Sequence, residues 1–131
     1  HLLPGHGLCP GCGAGMVLFQ MSTAATQISE DNFIYVNNTS CSEVSTSKDN
    51  VTSWKVPWVH HLFESGATVA DAISTSYKIQ KAKGIFKGQV PYVIHIGGDG
   101  STYDIGFQFL KAALIRTSSF VEMSDILKSQ K

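Results

Sequence analysis

The sequence predicts an α/β fold with a parallel sheet, and three observations carry that expectation. Two compact apolar runs, residues 33–36 and 90–96, read as buried strands. Segments of helical period alternate with them. The second run breaks into Gly97-Gly98-Asp99-Gly100, a turn suited to holding a ligand off the carboxyl end of a parallel strand.

The first fifteen residues hold five of the 12 glycines together with Pro4 and Pro10, a composition that reads as a loop able to approach a ligand closely. From Gly15 to about Ile28, the apolar residues Met16, Leu18, Phe19, Met21, Ala24, Ala25 and Ile28 lie mostly three or four apart, which predicts a helix. After the strand at 33–36, residues 37–53 are polar and rich in Ser, Thr and Asn, and read as a loop containing Cys41. Residues 54–63 are aromatic and basic without clear period. Ala67, Ala70, Ile73, Tyr77 and Ile79 predict a second helix, ended near Lys83-Gly84. A third is expected from about Asp104 through Phe107, Leu110 and Ala113 to Ile115, with Asp104 as its cap. No internal repeat or low-complexity tract appears.

With 131 residues, 43% of them hydrophobic, the chain is long enough for one domain with a core. Lys plus Arg equals Asp plus Glu at 10 each, so no positive field gathers nucleic acid or anionic membrane. No run of about 18 apolar residues and no signal-peptide pattern is present, which makes a cytoplasmic location the expectation. The chain begins at His1 rather than Met, leaving room for an upstream segment. The Asn-x-Ser/Thr matches at Asn37, Asn38 and Asn50 read as chance in a Ser/Thr-rich chain.

Glycines at the end of a strand let backbone N–H groups meet phosphate oxygens, and the Asp99 carboxylate could hold a bridging hard cation. A plain strand-to-helix turn fits the same four residues. Three cysteines cannot all pair, and Cys9-Pro10-Gly11-Cys12 has a spacing that favours metal binding or redox chemistry over a structural disulfide. Dithiol exchange is disfavoured, because a glycine-rich loop rather than a strand precedes the motif. Zinc would need a fourth ligand from His6, His60 or His61, and an iron-sulfur cluster a fourth thiolate. The glycine-rich surroundings favour the cluster, since N–H groups aimed at sulfur stabilise its charge.

In order, Gly5-His6-Gly7-Leu8-Cys9-Pro10-Gly11-Cys12-Gly13, Thr39-Ser40-Cys41, Trp54-Lys55-Val56-Pro57-Trp58, Leu62-Phe63-Glu64, and Gly97-Gly98-Asp99-Gly100 with Tyr103-Asp104-Ile105-Gly106 form a pattern. It resembles the thiamine diphosphate-binding beta subunit of pyruvate:ferredoxin oxidoreductase over residues 4–116. The resemblance implies the amino-terminal portion of a parallel-sheet thiamine diphosphate-binding fold. It implies a subunit that works with an alpha subunit to decarboxylate pyruvate oxidatively to acetyl-CoA, passing electrons through a [4Fe-4S] cluster to ferredoxin.

By position, the resemblance makes Cys9, Cys12 and Cys41 cluster ligands and Asp99 the Mg2+ ligand. Gly98 and Gly100 lie beside the diphosphate, Gly13 and Thr39 near the cofactor, and Phe63 against its aminopyrimidine. No catalytic residue is assigned, the general base being expected on the alpha subunit. Trp54, Trp58 and Phe63 also fit an ordinary aromatic core, and His60 and His61 read as surface or packing residues.

Ser40 stands where the family usually has Gly, and Asp71 where it has a small residue. The family goes on to a second Mg2+ and diphosphate motif bearing Asn and to a fourth cysteine, but no Asn follows Asn50 here and no Cys follows Cys41. From Thr117 the resemblance stops, and Phe120, Met123 and Leu127 suit a short amphipathic helix. The expectation is a partial thiamine diphosphate-binding domain with a divergent tail at 117–131. The alternative is an inactive remnant with at most weak metal or partner binding.

Overall fold

The computed structural model describes residues 1–48 and 51–116. Helix α1 (Gly13–Ser29) buries Leu18, Ser22, Ala25 and Ser29, a stripe at helical spacing. It ends at Glu30, in the left-handed region (φ 51), whose N–H donates to the Thr26 carbonyl. Asp31 is left-handed as well (φ 67), and its carboxylate accepts from Thr26 Oγ1 at 2.8 Å.

Strand β1 (Phe33–Asn38) follows and is buried along nearly its whole length. It lies between β2 (Trp58–His61) and β3 (Tyr92–Ile96) in the order β2-β1-β3, both neighbours parallel to it. The expected α/β class with a parallel sheet is what the chain adopts.

Alternation along β1 divides the core between the two faces of the sheet. Phe33 and Tyr35 pack with Leu18 and Ala25 of α1 and with Trp54. On the other face Val36 and Val93 pack with Ala70, Val69 and Ile73 of α3 (Gly66–Ala82). Buried polar groups in the first cluster are paired: Tyr35 Oη bonds Ser22 Oγ at 3.0 Å, and Trp54 Nε1 donates to Thr46 Oγ1 at 2.9 Å. Helices on both faces leave the strand ends as the open edge of the sheet.

Three expectations are corrected. Residues 37–53 are not one loop, because β1 runs on to Asn38 and α2 (Cys41–Thr46) follows. Ser40 caps α2 by accepting from the Glu43 N–H at 3.4 Å, so Ser40-Cys41-Ser42-Glu43 has the spacing of a capping box inside a segment whose polarity hid it. Within 54–63, Trp58–His61 is a strand, held at the sheet edge where alternation is weak.

The third helix is present as α5 (Phe107–Arg116), but a short helix not expected from sequence, α4 (Asp99–Tyr103), precedes it. A Cβ at Gly106 would lie 2.0 Å from the Ser101 carbonyl oxygen, so only glycine permits this close turn between them. Asp104 accepts the Phe107 N–H at the start of α5 through its backbone carbonyl at 3.0 Å, rather than as the expected side-chain cap. Asn37 and Asn38 are fully buried, so neither is a glycosylation acceptor; Asn50 and the helix expected around 120–127 lie outside the described residues. No helix among the described residues is long and apolar enough to cross a membrane.

Candidate functional site at the strand carboxyl ends

Asn38, the last residue of β1, ties the three strand ends together. Its Nδ2 donates to the Leu62 and Phe63 carbonyls at 3.2 and 2.7 Å, fixing the turn that leaves β2. With the amide nitrogen so engaged, Oδ1 is the acceptor, and His95 Nε2–H of β3 donates to it. The same oxygen lies against the start of α3, where a Cβ at Gly66 would come within 2.0 Å of it. Burial lowers the His95 pKa from 6.5 to about 4, so the ring is neutral at pH 7. Nothing in the sequence marks His95, and Asn38 is marked only as a chance glycosylation match; Asn38 ends a strand next to another Asn, a costly place for an amide without partners, and that is the available signal.

Around this tie, most of the expected cofactor residues come together. A Cβ at Gly98 would approach Ser40 Cβ to 2.9 Å, and one at Gly100 would approach Phe63 Cζ to 2.5 Å. The turns after β1, β2 and β3 therefore touch one another. Thr39 stands on this edge, its N–H donating to the His61 carbonyl at 3.2 Å and its Oγ1 bonded to His60 Nε2 at 2.9 Å. Asp99 is exposed at the start of α4. Gly13 is apart from this group: it opens α1, with open space where a Cβ would stand.

Cys12 is the residue preceding α1, and its N–H donates to the Cys9 carbonyl at 3.0 Å, closing a tight turn. The motif does open a helix, although a loop leads into it. The Gly7 N–H donates to the Ser45 carbonyl at 2.6 Å, which anchors this loop to the helix that Cys41 begins. All three thiols are free and exposed. Among the described residues no group of three His, Cys, Asp or Glu side chains is drawn together as a metal site, so the implied ligand set of Cys9, Cys12 and Cys41 is not preassembled. The thiols lie on two segments, the loop that leads into α1 and the start of α2.

Two buried donors, Asn37 Nδ2 and Trp58 Nε1, lack an acceptor among the described residues. Asn37 Oδ1 is engaged, accepting from Ser42 Oγ at 3.2 Å. His60 is not a bare surface residue, since it is bonded to Thr39 and lies 3.7 Å from Glu43 Oε1.

These features define an α/β protein in which the turns at the carboxyl ends of a three-stranded parallel sheet meet along one edge. The relatives narrow the class. The chain is 42% identical over 117 residues to the pyruvate synthase subunit PorB of Methanocaldococcus jannaschii, which covers 88% of this chain and 38% of that protein. It is 41% identical over 113 residues to PorB of Thermotoga maritima (86% and 35%), and 36% identical over 121 residues to PorB of Methanosarcina barkeri (92% and 38%). No protein-family profile matches the chain. The chain is thus a relative of the PorB subunits, as the ordered motifs implied, and it spans little more than a third of their length.

Proposed function

We propose that this chain is the thiamine diphosphate-binding part of the beta subunit of a 2-oxoacid:ferredoxin oxidoreductase, serving the oxidative decarboxylation of pyruvate to acetyl-CoA. The observation that carries the reading is the meeting of Ser40 with Gly98 and of Phe63 with Gly100 on the edge that also bears Thr39 and Asp99, in a relative of pyruvate synthase subunits.

The residues present suit the cofactor. Gly98 and Gly100 keep the turn narrow, Phe63 offers an apolar ring, Thr39 a hydroxyl, and Asp99 an exposed carboxylate suited to Mg2+. Bound there, thiamine diphosphate supplies the carbanion chemistry that decarboxylation needs. The chain's own task is to hold and orient the diphosphate while the neutral His95 and Asn38 keep the strand ends fixed.

Cys9, Cys12 and Cys41 are the ligands this chain offers to a [4Fe-4S] cluster. Their exposure and the anchoring of the loop to α2 through Gly7 support that role, and a fourth ligand must come from beyond the described residues. The alpha subunit, ferredoxin and CoA are the partners this reading requires.

The test is calorimetric binding of thiamine diphosphate with Mg2+ to the intact assembly carrying this chain, in wild type and Asp99→Ala. Loss of Mg2+-dependent binding by at least about tenfold is expected, equivalent to about 1.4 kcal/mol. Unchanged affinity would overturn the assignment of Asp99. For the cluster, anaerobic iron and sulfide analysis should find both, and stoichiometric zinc without sulfide would overturn it.

A further inference from the structure

His60 joins three elements through one ring. Its Nε2 bonds Thr39 Oγ1 at 2.9 Å, its Nδ1 lies 3.7 Å from Glu43 Oε1 on α2, and its face stacks on Trp58 of its own strand at 6.0 Å between ring centroids. Glu43 is 7% exposed, and its Oε1 accepts from Ser47 Oγ at 2.6 Å, so the carboxylate is fixed in place. The His60 side chain is 43% exposed and can exchange protons with water. Glu43 is its ionic partner, and Cys41 is the other titratable group on α2. His61, next on β2, turns to the opposite face and bonds Ser65 Oγ at 2.8 Å.

A hydroxyl has one proton to give and two lone pairs. When His60 is neutral with its proton on Nδ1, towards Glu43, its Nε2 takes the Thr39 proton, and Thr39 then presents only lone pairs outward, which repel an anion. The other neutral tautomer would set the bare Nδ1 lone pair beside the Glu43 carboxylate, an unfavourable contact. When His60 is protonated, Nε2–H donates to Thr39 Oγ1, Nδ1–H faces Glu43 as an ion pair, and the Thr39 proton is free to point at an anionic oxygen.

The geometry points to His60 as the positioning residue that sets the donor direction of the Thr39 hydroxyl and couples uptake of one solvent proton to binding of a diphosphate group at the strand ends. Naming the ligand rests on the thiamine diphosphate reading above. Thr39 is the group that meets the ligand, and His60 acts through it. Linkage fixes the sign: anion binding favours the imidazolium, so affinity falls as pH rises.

The experiment is isothermal titration of the intact assembly with thiamine diphosphate and Mg2+ from pH 6 to pH 8.5. Buffers of different ionisation enthalpy read proton uptake, in wild type, His60→Gln and Thr39→Val. Wild type should take up protons on binding and lose roughly threefold to tenfold in affinity per pH unit at the steepest part of the profile. Gln carries an amide N–H that can donate to Thr39 at any pH, so His60→Gln should bind with the part of the slope and uptake due to His60 removed. Thr39→Val should lose the same component.

A His60→Gln protein with the wild-type slope and uptake would overturn the proposal, whether its affinity is intact or uniformly weakened. Absence of any Mg2+-dependent binding in wild type would instead sink the cofactor reading, and this inference with it.

Discussion

Phe63 and Gly100 occupy each other's space: the ring fills the position a side chain at residue 100 would take, with Phe63 Cζ only 2.5 Å from a Cβ placed there. The contact spans the carboxyl end of the central strand, because Phe63 leaves β2 and Gly100 lies in the turn after β3. It makes the shape of one turn depend on the other. Gly100→Ala should displace the ring and, because Phe63 is 41% exposed and its far end can swing aside, cost about 1 kcal/mol, the low end of overpacking. In a Phe63→Ala background that cost should largely vanish. A double-mutant cycle by chemical denaturation reads the coupling, and additive effects would show that the contact carries no energy.

Asn38 is the polar counterpart of that contact. Asn38→Ala removes the donors to the Leu62 and Phe63 carbonyls and the acceptor for His95, and should destabilise the protein by about 2 kcal/mol or more. Asn38→Asp keeps the shape but sets a carboxylate oxygen against carbonyl oxygens, so it should be at least as damaging. Urea unfolding of the two variants checks the order. A neutral effect of both would mean that the tie is not what fixes these strand ends.

Strands β1 and β3 and the two long helices were legible because burial writes period into sequence, whereas the edge strand β2 was not. Phe33 and Val93 lie in apolar runs, and Ala70 and Ile73 recur at helical spacing. Helix α2 was not legible from apolar period because it has almost none; only the Ser40 to Glu43 capping spacing marks it. The break between α4 and α5 depends on Gly106 passing close to Ser101, a contact no local pattern announces. At the site, the residues belonging to contiguous motifs were readable, and Thr39, Phe63, Gly98, Asp99 and Gly100 do gather. The tie between Asn38 and His95 was missed because the two partners stand 57 residues apart in sequence.

His95 gives stability a defined pH dependence. Its folded pKa of about 4 lies below the unfolded value of 6.5, so between those limits the unfolded chain binds more protons than the folded one. Stability from this group is complete above about pH 6.5 and is lost as pH falls towards 4, by an amount of the order of 3 kcal/mol. His95→Gln should flatten that part of the profile while retaining a donor for Asn38. Denaturation midpoints at pH 4.5, 5.5 and 7 measure it, and parallel profiles for wild type and variant would count against His95 as the source.

Asp71 stands in α3 where a small residue was expected, and its partner lies far along the chain. Arg116 Nε donates to Asp71 Oδ2 at 2.6 Å, across the contact between α3 and α5. The Asp71 side chain is 10% exposed and that of Arg116 53%, so removing the two charges has unequal consequences. Arg116→Ala removes one charged partner from a largely buried carboxylate and should cost about 1–2 kcal/mol, below the full penalty for a wholly buried pair because water reaches the arginine side. Asp71→Ala leaves only a solvated guanidinium and restores a good helix former, so it should cost less. The double variant should then be more stable than Arg116→Ala alone, and thermal unfolding of the three proteins decides the matter. If Arg116→Ala were the mildest change, the ion pair would have no part in fastening α5 to α3.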